Sequence, residues 1–336
     1  MNKTDWPISR RTLLHYLPIV VGSAGTLLAG GLAPHAARAQ AKQLDVLRLD
    51  WATYNPVSLI LREKGWLEQS LGTTKVEWVQ SAGSNKALEF LNARSIDFGS
   101  TAGAAAFIAK ANGSPINSVY VFSKPEWTAL VTGSTSTITQ VKDLKGKKVA
   151  VTKGTDPYIF LVRALDEVGL SERDVELVLL QHADGKAALD AGQVDAWAGL
   201  DPLMAQTELE QGSKLFYRNT NFNSYGVLNV REAFAKEYPD VVIKVLQAYE
   251  KGRKWALENP KELQTILARD ARLTDVVAAK QLERTDLSDP IIGNAQKQVI
   301  GAAGQVLSKA GVIRASVDVN ATVNALIDTQ FVAKLG

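Results

Sequence analysis

The feature that most constrains the fold is a strand–turn–helix unit over residues 147–165. Residues 149–151 have the apolar character of a short buried strand, and a glycine-containing turn over residues 152–156 follows. Pro157 then opens an amphipathic helix, and we expect Asp156 to cap it because its carboxylate can accept an orphan amide hydrogen. Such a helix start directs unpaired N–H groups and partial positive charge to one point. This geometry suits an oxyanion, although an ordinary βα turn shows the same pattern.

Strand and helix patterns alternate along much of the rest of the chain, which is typical of parallel α/β architecture. We predict strands at residues 46–50, 76–80, 96–99, 119–122 and 128–132, with helices at 56–64 and 85–94. From residue 231 onwards the pattern becomes helical, and we predict a helical C-terminal tail that packs on the first lobe. Its helices are predicted at residues 232–238, 239–258, 261–270, 294–310 and 319–332.

The sequence also contains a short internal repeat, which we call the internal echo. Residues 91–97 (LNARSID) and 189–195 (LDAGQVD) share the pattern of a helix end, a tight turn and a strand start. We expect each strand to open into a loop, over residues 100–103 in one case and 199–202 in the other. Two similar α/β lobes that offer loops at their strand ends suggest a ligand cleft between them, whereas chance similarity is the alternative for so short a pattern.

The first 39 residues have the order of a cleavable signal peptide. A polar, basic start contains Arg10 and Arg11, a weakly apolar run rich in glycine covers residues 17–33, and residues 37–39 (ARA) fit a cleavage site. The paired arginines and the mild hydrophobicity predict a twin-arginine export signal that is cleaved after residue 39, with the general secretory route as the alternative. A membrane anchor is disfavoured because a proline and several glycines make a poor spanning helix.

Composition excludes several classes of function. Removal of residues 1–39 leaves 34 basic and 34 acidic residues, so nothing electrostatic points to nucleic acid. The absence of cysteine excludes disulfides, thiolate metal sites, a cysteine nucleophile and a lipid-modified cysteine. His182 is the only histidine after residue 39, so we expect no metal site and no cofactor. We expect His182 itself to be exposed or to cap a helix.

Six segments, in order along the chain, resemble the solute-binding proteins of aliphatic sulfonate, taurine and nitrate ABC importers. They are residues 76–78 (VEW), 96–101 (IDFGST), 143–150 (DLKGKKVA), 152–154 (TKG), 161–170 (LVRALDEVGL) and 194–197 (VDAW) with 201–202 (DP). The resemblance implies a type II periplasmic binding protein fold, an α/β fold of two lobes joined by two crossing strands near residues 129–132 and 225–230. It implies that residues 40–129 and 229–336 form lobe 1 and residues 130–228 form lobe 2.

In that family an anionic head group lies between the lobes, held by hydroxyls, backbone amides and helix starts. When the site residues of the family are transferred to the matching positions, the resemblance implies a site with ligand-binding residues from both lobes. Lobe 1 contributes Trp51, Ala52, Gly83, Ser84, Thr101, Ala102 and Gly103, and lobe 2 contributes Gly154, Thr155, Asp156, Asp201, Asn223, Ser224 and Tyr225. We expect Thr101 and Thr155 to be the main oxyanion donors, because hydroxyls and amides can hold an anion without a buried, unpaired cation. For Trp51 and Trp197, plain core packing is the alternative.

Five positions depart from the alkanesulfonate pattern. Ala52 stands where glutamine is expected, residues 103–104 (GA) replace Asp-Thr, Asp156 replaces asparagine, and Leu200 replaces tryptophan. Fewer polar side chains on lobe 1 suggest a larger or more apolar ligand tail. Asp156 would repel an anion unless it turns away to cap its helix or pairs with an ammonium group of the ligand.

The resemblance therefore implies a monomeric, periplasmic solute-binding protein that binds a small organosulfonate-type anion and delivers it to an ABC permease in the inner membrane. Nitrate, an aromatic sulfonate or a thiamine-precursor pyrimidine are alternative ligands for the same fold. The alternative from another class is an enzyme, since the fold also hosts a sulfinate desulfinase that uses a cysteine and pyrimidine synthases that consume a histidine. We expect no enzyme, because the cysteine is absent and no base stands at a suitable spacing from Ser100 or Thr101.

Overall fold

The structure, a computed structural model, describes residues 43–335. The predicted export signal and its cleavage point lie outside the described residues. Within them, the helices and strands alternate up to residue 231 and are mostly helices thereafter. No helix in the described part of the chain is long and apolar enough to cross a membrane.

Eleven strands of the described chain form two sheets. They are β1 (Val46–Trp51), β2 (Lys75–Gln80), β3 (Phe98–Ala102), β4 (Ile116–Pro125), β5 (Thr128–Thr132), β6 (Lys148–Val151), β7 (Glu176–Leu179), β8 (Ala196–Leu200), β9 (Lys214–Tyr217), β10 (Gly226–Arg231) and β11 (Thr285–Asp286). The first sheet has the order β11-β4-β10-β3-β1-β2, and the second has the order β7-β6-β8-β5-β9.

Thirteen α-helices of the described chain surround these sheets. They are α1 (Pro56–Lys64), α2 (Trp66–Leu71), α3 (Ser84–Asn92), α4 (Gly103–Ala111), α5 (Asp156–Glu167), α6 (His182–Asp190), α7 (Leu203–Gln211), α8 (Glu232–Glu237), α9 (Pro239–Glu258), α10 (Pro260–Ala271), α11 (Asp275–Glu283), α12 (Asn294–Lys309) and α13 (Val319–Leu326). The strands β1, β2 and β3 pair in parallel, as do β6, β7 and β8, because helical crossovers connect them.

Each sheet is mixed because one of its strands runs antiparallel to both neighbours. In the first sheet β10 runs antiparallel between β3 and β4, with Val227 opposite Thr101. In the second sheet β5 runs antiparallel between β8 and β9. The chain thus passes between the sheets twice, from β4 to β5 and from β9 to β10. The predicted lobe boundaries after residues 129 and 228 lie inside β5 and β10 and remain a proposal.

One large apolar core extends over both sheets. It contains Leu49 and Phe98 of the first sheet and Val149 of the second, all fully buried. Trp197 on β8 is fully buried in a smaller cluster beneath the second sheet, so the core-packing interpretation of this tryptophan is confirmed. Gly185 lets α6 approach it, because a β-carbon there would lie 2.8 Å from Nε1 of Trp197.

The internal echo corresponds to the same local structure in both halves. After α3, Arg94 has a φ of 58°, and after α6, Gly192 has a φ of 67°. Asp97 then accepts a hydrogen bond from the backbone N–H of Arg48 at 2.9 Å, and Asp195 accepts one from Lys148 at 2.8 Å. Each aspartate thus links the end of its turn to the neighbouring parallel strand by a hydrogen bond.

Two local predictions are wrong. Residues 100–102 belong to β3 and not to a loop, because they continue the pairing with β10, which sequence proximity could not reveal. Asp156 is the first helical residue of α5 rather than its cap: Thr155 occupies the cap position, and no side chain caps this helix.

The C-terminal tail reaches beyond the first sheet. Its long helix α9 packs on α1 and α2, as expected for the first lobe. However, α12 also packs on α5, where Nζ of Lys309 lies 2.6 Å from a carboxylate oxygen of Asp166. In addition α11, which we did not predict, packs on α7. Helix α13 ends at Leu326, earlier than expected.

Candidate functional site

A small cavity lies where the two sheets face each other. Its volume is about 10 Å³, which is room for about one water molecule. The lining residues are Tyr54, Ser84, Trp127, Thr155, Asp156, Pro157 and Leu200. The starts of α3 and α5 therefore meet across this cavity, and three of the predicted site residues, Ser84, Thr155 and Asp156, come together in it.

A larger groove of about 680 Å³ shares Tyr54 and Leu200 with the cavity. It is also lined by residues of the first sheet's loops, of the α6 and α7 starts and of the turn after α10. These are Trp51, Thr53, Gln80, Ser81, Ala82, Gln181, His182, Ala183, Asp201, Pro202, Leu203, Gln206, Asp270, Ala271, Arg272 and Leu273. The volume is in the range of sites that bind small molecules.

Backbone N–H groups at the helix starts of this region are available as donors. Among residues 43–335, no group accepts from the N–H of Ser84 or Asn85 in α3, nor from that of Asp156 or Tyr158 in α5. The same holds for the N–H of His182 at the start of α6. Because helix starts carry partial positive charge, the facing ends of these helices favour an anionic group.

The carboxylate of Asp156 accepts hydrogen bonds from three donors. It accepts from Nε1 of Trp127 at 2.8 Å, from the N–H of Ser224 at 3.0 Å and from the hydroxyl of Ser224 at 2.6 Å. Burial raises the pKa of Asp156, and these hydrogen bonds act against that rise. Trp127 precedes β5 and Ser224 precedes β10, so Asp156 joins both passages between the sheets.

The two threonines that we expected to be the main oxyanion donors have other hydrogen bonds. The hydroxyl of Thr101 donates to the carbonyl of Ala102 at 3.0 Å and accepts from Nδ2 of Asn229 at 2.8 Å. The hydroxyl of Thr155 donates to the carbonyl of Thr152 at 2.6 Å. Thr101 is fully buried and does not line the cavity or the groove, whereas Thr155 lines the cavity.

The predicted residues around β3 and α4 serve mainly to join strands and helices. The N–H of Ala102 donates to Oγ of Ser84 at 3.0 Å, and the N–H of Gly103 donates to the carbonyls of Ser224 and Tyr225 at 3.2 and 3.0 Å. A β-carbon at Gly103 would lie 2.5 Å from the Ser224 carbonyl, so this contact requires glycine. The start of α4 is therefore occupied by the return passage to β10.

Asn223 and Tyr225 flank Ser224 without lining the cavity. Oδ1 of Asn223 accepts from the N–H of Thr128 at 3.2 Å, which links the two passages a second time. Tyr225 has a φ of 63°, and Nζ of Lys124 lies 5.9 Å from the centre of its ring.

Trp51 and Asp201 line the groove, and Ala52 does not. The guanidinium carbon of Arg62 lies 3.9 Å from the centre of the Trp51 ring, and Ala52 is fully buried. Asp201 is 2% exposed, and burial raises its pKa to about 7, although the guanidinium of Arg284 lies 3.5 Å from both carboxylate oxygens. Asp201 also accepts from the N–H of Ala205 at 2.8 Å.

Gly83 and Gly154 form the closest approach between the α3 start and the second sheet. A β-carbon at Gly154 would lie 3.6 Å from Cβ of Asn85, and one at Gly83 would lie 3.1 Å from Nε2 of His182. His182 is 2% exposed and is the first residue of α6, so the prediction of an exposed or capping histidine is wrong. The contact with Gly83 buries it, and this contact spans 99 positions of sequence, beyond the reach of local patterns.

No group of three or more His, Cys, Asp and Glu side chains in the described chain has an arrangement that could hold a metal ion. The region instead combines a buried aspartate, aromatic rings and uncapped helix starts between two α/β halves. Such an arrangement can bind a small anion. The class that the fold and the site define is a two-lobed solute-binding protein.

Comparison with known proteins agrees with this class. The profile of the NMT1/THI5 like family matches residues 59–263, more than half of the chain, and the chain belongs to that family. A Bacillus subtilis (strain 168) protein, provisionally named an aliphatic sulfonates-binding protein, is 29% identical over 326 residues, which are 94% of this chain and 96% of the relative. An Escherichia coli (strain K12) protein of the same provisional name is 34% identical over 185 residues, 54% of this chain and 57% of the relative.

Solved structures show the same fold. The alkanesulfonate-binding protein SsuA from Xanthomonas axonopodis pv. citri, bound to MOPS, matches with a TM-score of 0.79 and 24% identity over 86% of this chain and 100% of that chain. The desulfurization enzyme DSZB matches with a TM-score of 0.64 and 14% identity over 87% of this chain and 98% of that chain. The periplasmic binding protein fold and the resemblance to sulfonate-binding proteins are thus confirmed. The sequence relatives are named as binding proteins and not as enzymes, in agreement with the expectation that this protein is not an enzyme.

Proposed function

We propose that the protein is the periplasmic solute-binding component of an ABC importer and that it binds a small organosulfonate-type anion between its lobes. The observation that carries the proposal is the meeting of the α3 and α5 starts, whose backbone N–H groups are free, at a cavity between two sheets. The names of the Bacillus subtilis and Escherichia coli relatives support a sulfonate as the ligand.

Binding requires the two halves to separate, because a sulfonate head group is larger than the cavity of about 10 Å³. Hinge motion about two connecting segments is a common way for binding proteins to open and close. The segments here are the passages before β5 and β10, and Asp156 contacts both through Trp127 and Ser224. In our proposal residues 40–129 with 229–336 close against residues 130–228 over the ligand.

The proposed contacts are the residues of the cavity and the groove, with backbone amides as the main donors to the anion. In both predicted threonines the hydroxyl proton is directed to a backbone carbonyl, so the N–H groups of the α3 and α5 starts replace them in this role. Leu200 and Pro157, together with the rings of Tyr54 and Trp127, form an apolar wall for the ligand's tail.

A thermal unfolding screen tests the ligand class. The panel contains alkanesulfonates, taurine, aromatic sulfonates, sulfate esters, nitrate and a thiamine-precursor pyrimidine, each at a hundred to a thousand times its dissociation constant. Binding should stabilise the folded protein by about 3–4 kcal/mol, a rise in Tm of roughly 5–10 °C. Stabilisation by a sulfonate supports the proposal, stabilisation by the pyrimidine or nitrate alone replaces the ligand, and no shift with any compound refutes the binding role.

Export and delivery to an inner-membrane permease are further parts of the proposal. They rest on the paired Arg10 and Arg11 of the predicted signal and on the importer role of the family. Arg10→Lys combined with Arg11→Lys should keep the protein in the cytoplasm if the twin-arginine route is used. Normal export of that variant would favour the general secretory route. We also propose that the protein acts as a monomer, which size-exclusion chromatography with light scattering can test.

A further inference from the structure

His182 is a buried histidine whose ring has no hydrogen-bond partner. It is 2% exposed, and neither Nδ1 nor Nε2 makes a hydrogen bond to any of the described residues. Burial alone lowers its pKa to about 3, without any contribution from a neighbouring charge. Buried polar groups are nearly always hydrogen-bonded in proteins, so two unpaired nitrogens on one ring call for an explanation. The side chain lines the groove of about 680 Å³ between the sheets.

Two other buried polar atoms without a partner lie nearby. They are Oδ1 of Asn85, on the first sheet's side, and Oε1 of Gln181, next to His182. The hydroxyl of Ser81 lies beside the buried carboxylate of Asp50. Ser81, Gln181 and His182 line the groove together. We refer to Ser81, Gly83, Asn85, Gln181 and His182 as the His182 pocket. The terminal amide groups of Asn85 and Gln181 can present either oxygen or N–H₂ to a ligand.

Gly83 allows the His182 ring and the Asn85 side chain to pack closely against the backbone that precedes α3. Its φ of 166° is extended backbone, which any residue adopts, so the conformation does not require glycine. Space does: a β-carbon at Gly83 would lie 2.9 Å from Oδ1 of Asn85 and 3.1 Å from Nε2 of His182. A side chain at this position would thus displace the ring of His182 or the side-chain amide of Asn85.

The backbone around this point supplies positive potential. The pocket lies between the starts of α3 and α6, and among residues 43–335 no group accepts from the N–H of Ser84, Asn85, His182 or Ala183. Helix starts of this kind favour an oxygen atom with negative charge. A ring N–H of neutral His182 adds a directed donor without placing a cation in the cleft.

We propose that the His182 pocket binds an anionic oxygen of the ligand, with the ring of His182 as a side-chain donor beside the amides of α3 and α6. The inference rests on the proposed function and names residues of that cleft that the resemblance did not supply. It also explains why the threonine hydroxyls can be committed to carbonyls elsewhere. No covalent step is involved, and the ring proton stays on His182.

Calorimetric titration of the full chain with 1-butanesulfonate tests the role of the side chain. His182→Leu should lower the affinity roughly 10- to 100-fold, because one directed hydrogen bond to a charged group is lost, and His182→Gln should recover part of it by restoring a donor. Gly83→Ala should also lower the affinity, because its β-carbon displaces the His182 ring or the Asn85 side chain from the proposed position. Gly301→Ala is the matched control, because a β-carbon there meets nothing within 4 Å, and it should bind as the unchanged protein does.

Nuclear magnetic resonance gives a readout that loss of structure would not imitate. With ¹⁵N-labelled histidine, the imidazole signals of His182 are identified by their absence in His182→Gln, and addition of 1-butanesulfonate should shift them. Unchanged imidazole signals in a protein that 1-butanesulfonate stabilises would overturn this inference and leave the binding role intact. If 1-butanesulfonate and every other sulfonate neither bind nor stabilise the protein, the proposed function fails first, and this inference falls with it.

Discussion

The buried imidazole of His182 makes the stability of the folded protein depend on pH, and one substitution removes this dependence. In the unfolded chain the ring titrates near pKa 6.5, whereas burial lowers its pKa to about 3 in the folded protein. Between these values the unfolded chain binds a proton that the folded protein does not. The contribution of His182 to the free energy of unfolding is therefore fully present above pH 6.5, and it is lost as the pH is lowered towards 3.

The size of the effect follows from the two pKa values. Between pH 7 and pH 5, protonation of the unfolded chain at this one ring lowers the free energy of unfolding by about 2 kcal/mol. This is a large part of the net stability of a typical protein, so it should be measurable by chemical denaturation. His182→Gln has no titrating group at this position and should lack this contribution.

Other buried groups change the free energy of unfolding with pH in the opposite direction. The comparison of the unchanged protein with His182→Gln must cancel their effect. Burial raises the pKa of Asp50 to about 6 and that of Asp201 to about 7. The folded protein keeps these protons when the unfolded chain has lost them, so these aspartates stabilise the fold as the pH falls from 7 towards 4. Because both groups remain in His182→Gln, their effect disappears from the difference between the two proteins.

The assay is urea denaturation of the full chain at pH 7, 6 and 5 without ligand, followed by tryptophan fluorescence and extrapolated linearly to zero urea. The unchanged protein should lose about 2 kcal/mol more than His182→Gln between pH 7 and pH 5. Gln181→Asn, a neighbouring change without a titrating group, should behave as the unchanged protein. Parallel pH profiles for the unchanged protein and His182→Gln would show that the ring is solvated or paired in the folded state, and the argument from burial would be wrong.

Three further substitutions test contacts that hold the fold, each by urea denaturation at pH 7. Asp156→Asn should lower the free energy of unfolding by roughly 1–3 kcal/mol, because its amide cannot accept all three hydrogen bonds from Trp127 and Ser224; no change would show that they are weak. Trp197→Ala should cost about 3–5 kcal/mol by leaving a cavity beneath β8, and a loss below 1 kcal/mol would contradict this. Gly192→Ala should cost about 1 kcal/mol at its φ of 67°, whereas equal stability would imply a relaxed turn.

Much of the fold follows from local patterns. The helices α1 and α9 and the strand β5 have the predicted bounds, because proline starts, glycine ends and apolar periodicity all agree there. The internal echo locates two equivalent turns, at which Asp97 and Asp195 fasten the neighbouring strands. The antiparallel insertion of β10 beside β3 is less visible in local sequence, because that pairing joins residues about 130 positions apart.

The candidate site is harder to predict than the fold, because its contacts also join residues that are far apart in the sequence. Helix starts are visible in the sequence, and two of the predicted residues, Ser84 and Thr155, lie where α3 and α5 begin and meet. The direction in which a hydroxyl donates depends on its neighbours in the fold. The hydroxyl of Thr101 donates to the Ala102 carbonyl and accepts from Asn229, so it is already paired. The sequence does not predict the burial of His182, because that burial comes from Gly83 in the other half. The one signal in the sequence is that this histidine directly follows a strand and its turn.

The aspartate at position 156, where the sulfonate-binding pattern has asparagine, is compatible with an anionic ligand for a reason that the structure shows. Its carboxylate is surrounded by three donors from Trp127 and Ser224, and the guanidinium of Arg163 adds an attractive charge nearby. Hydrogen bonds of this kind spread and offset the negative charge. The carboxylate faces the two passages between the sheets, while the free N–H of Asp156 belongs to the α5 start. One residue can therefore hold the hinge with its side chain and leave its backbone N–H for the proposed ligand.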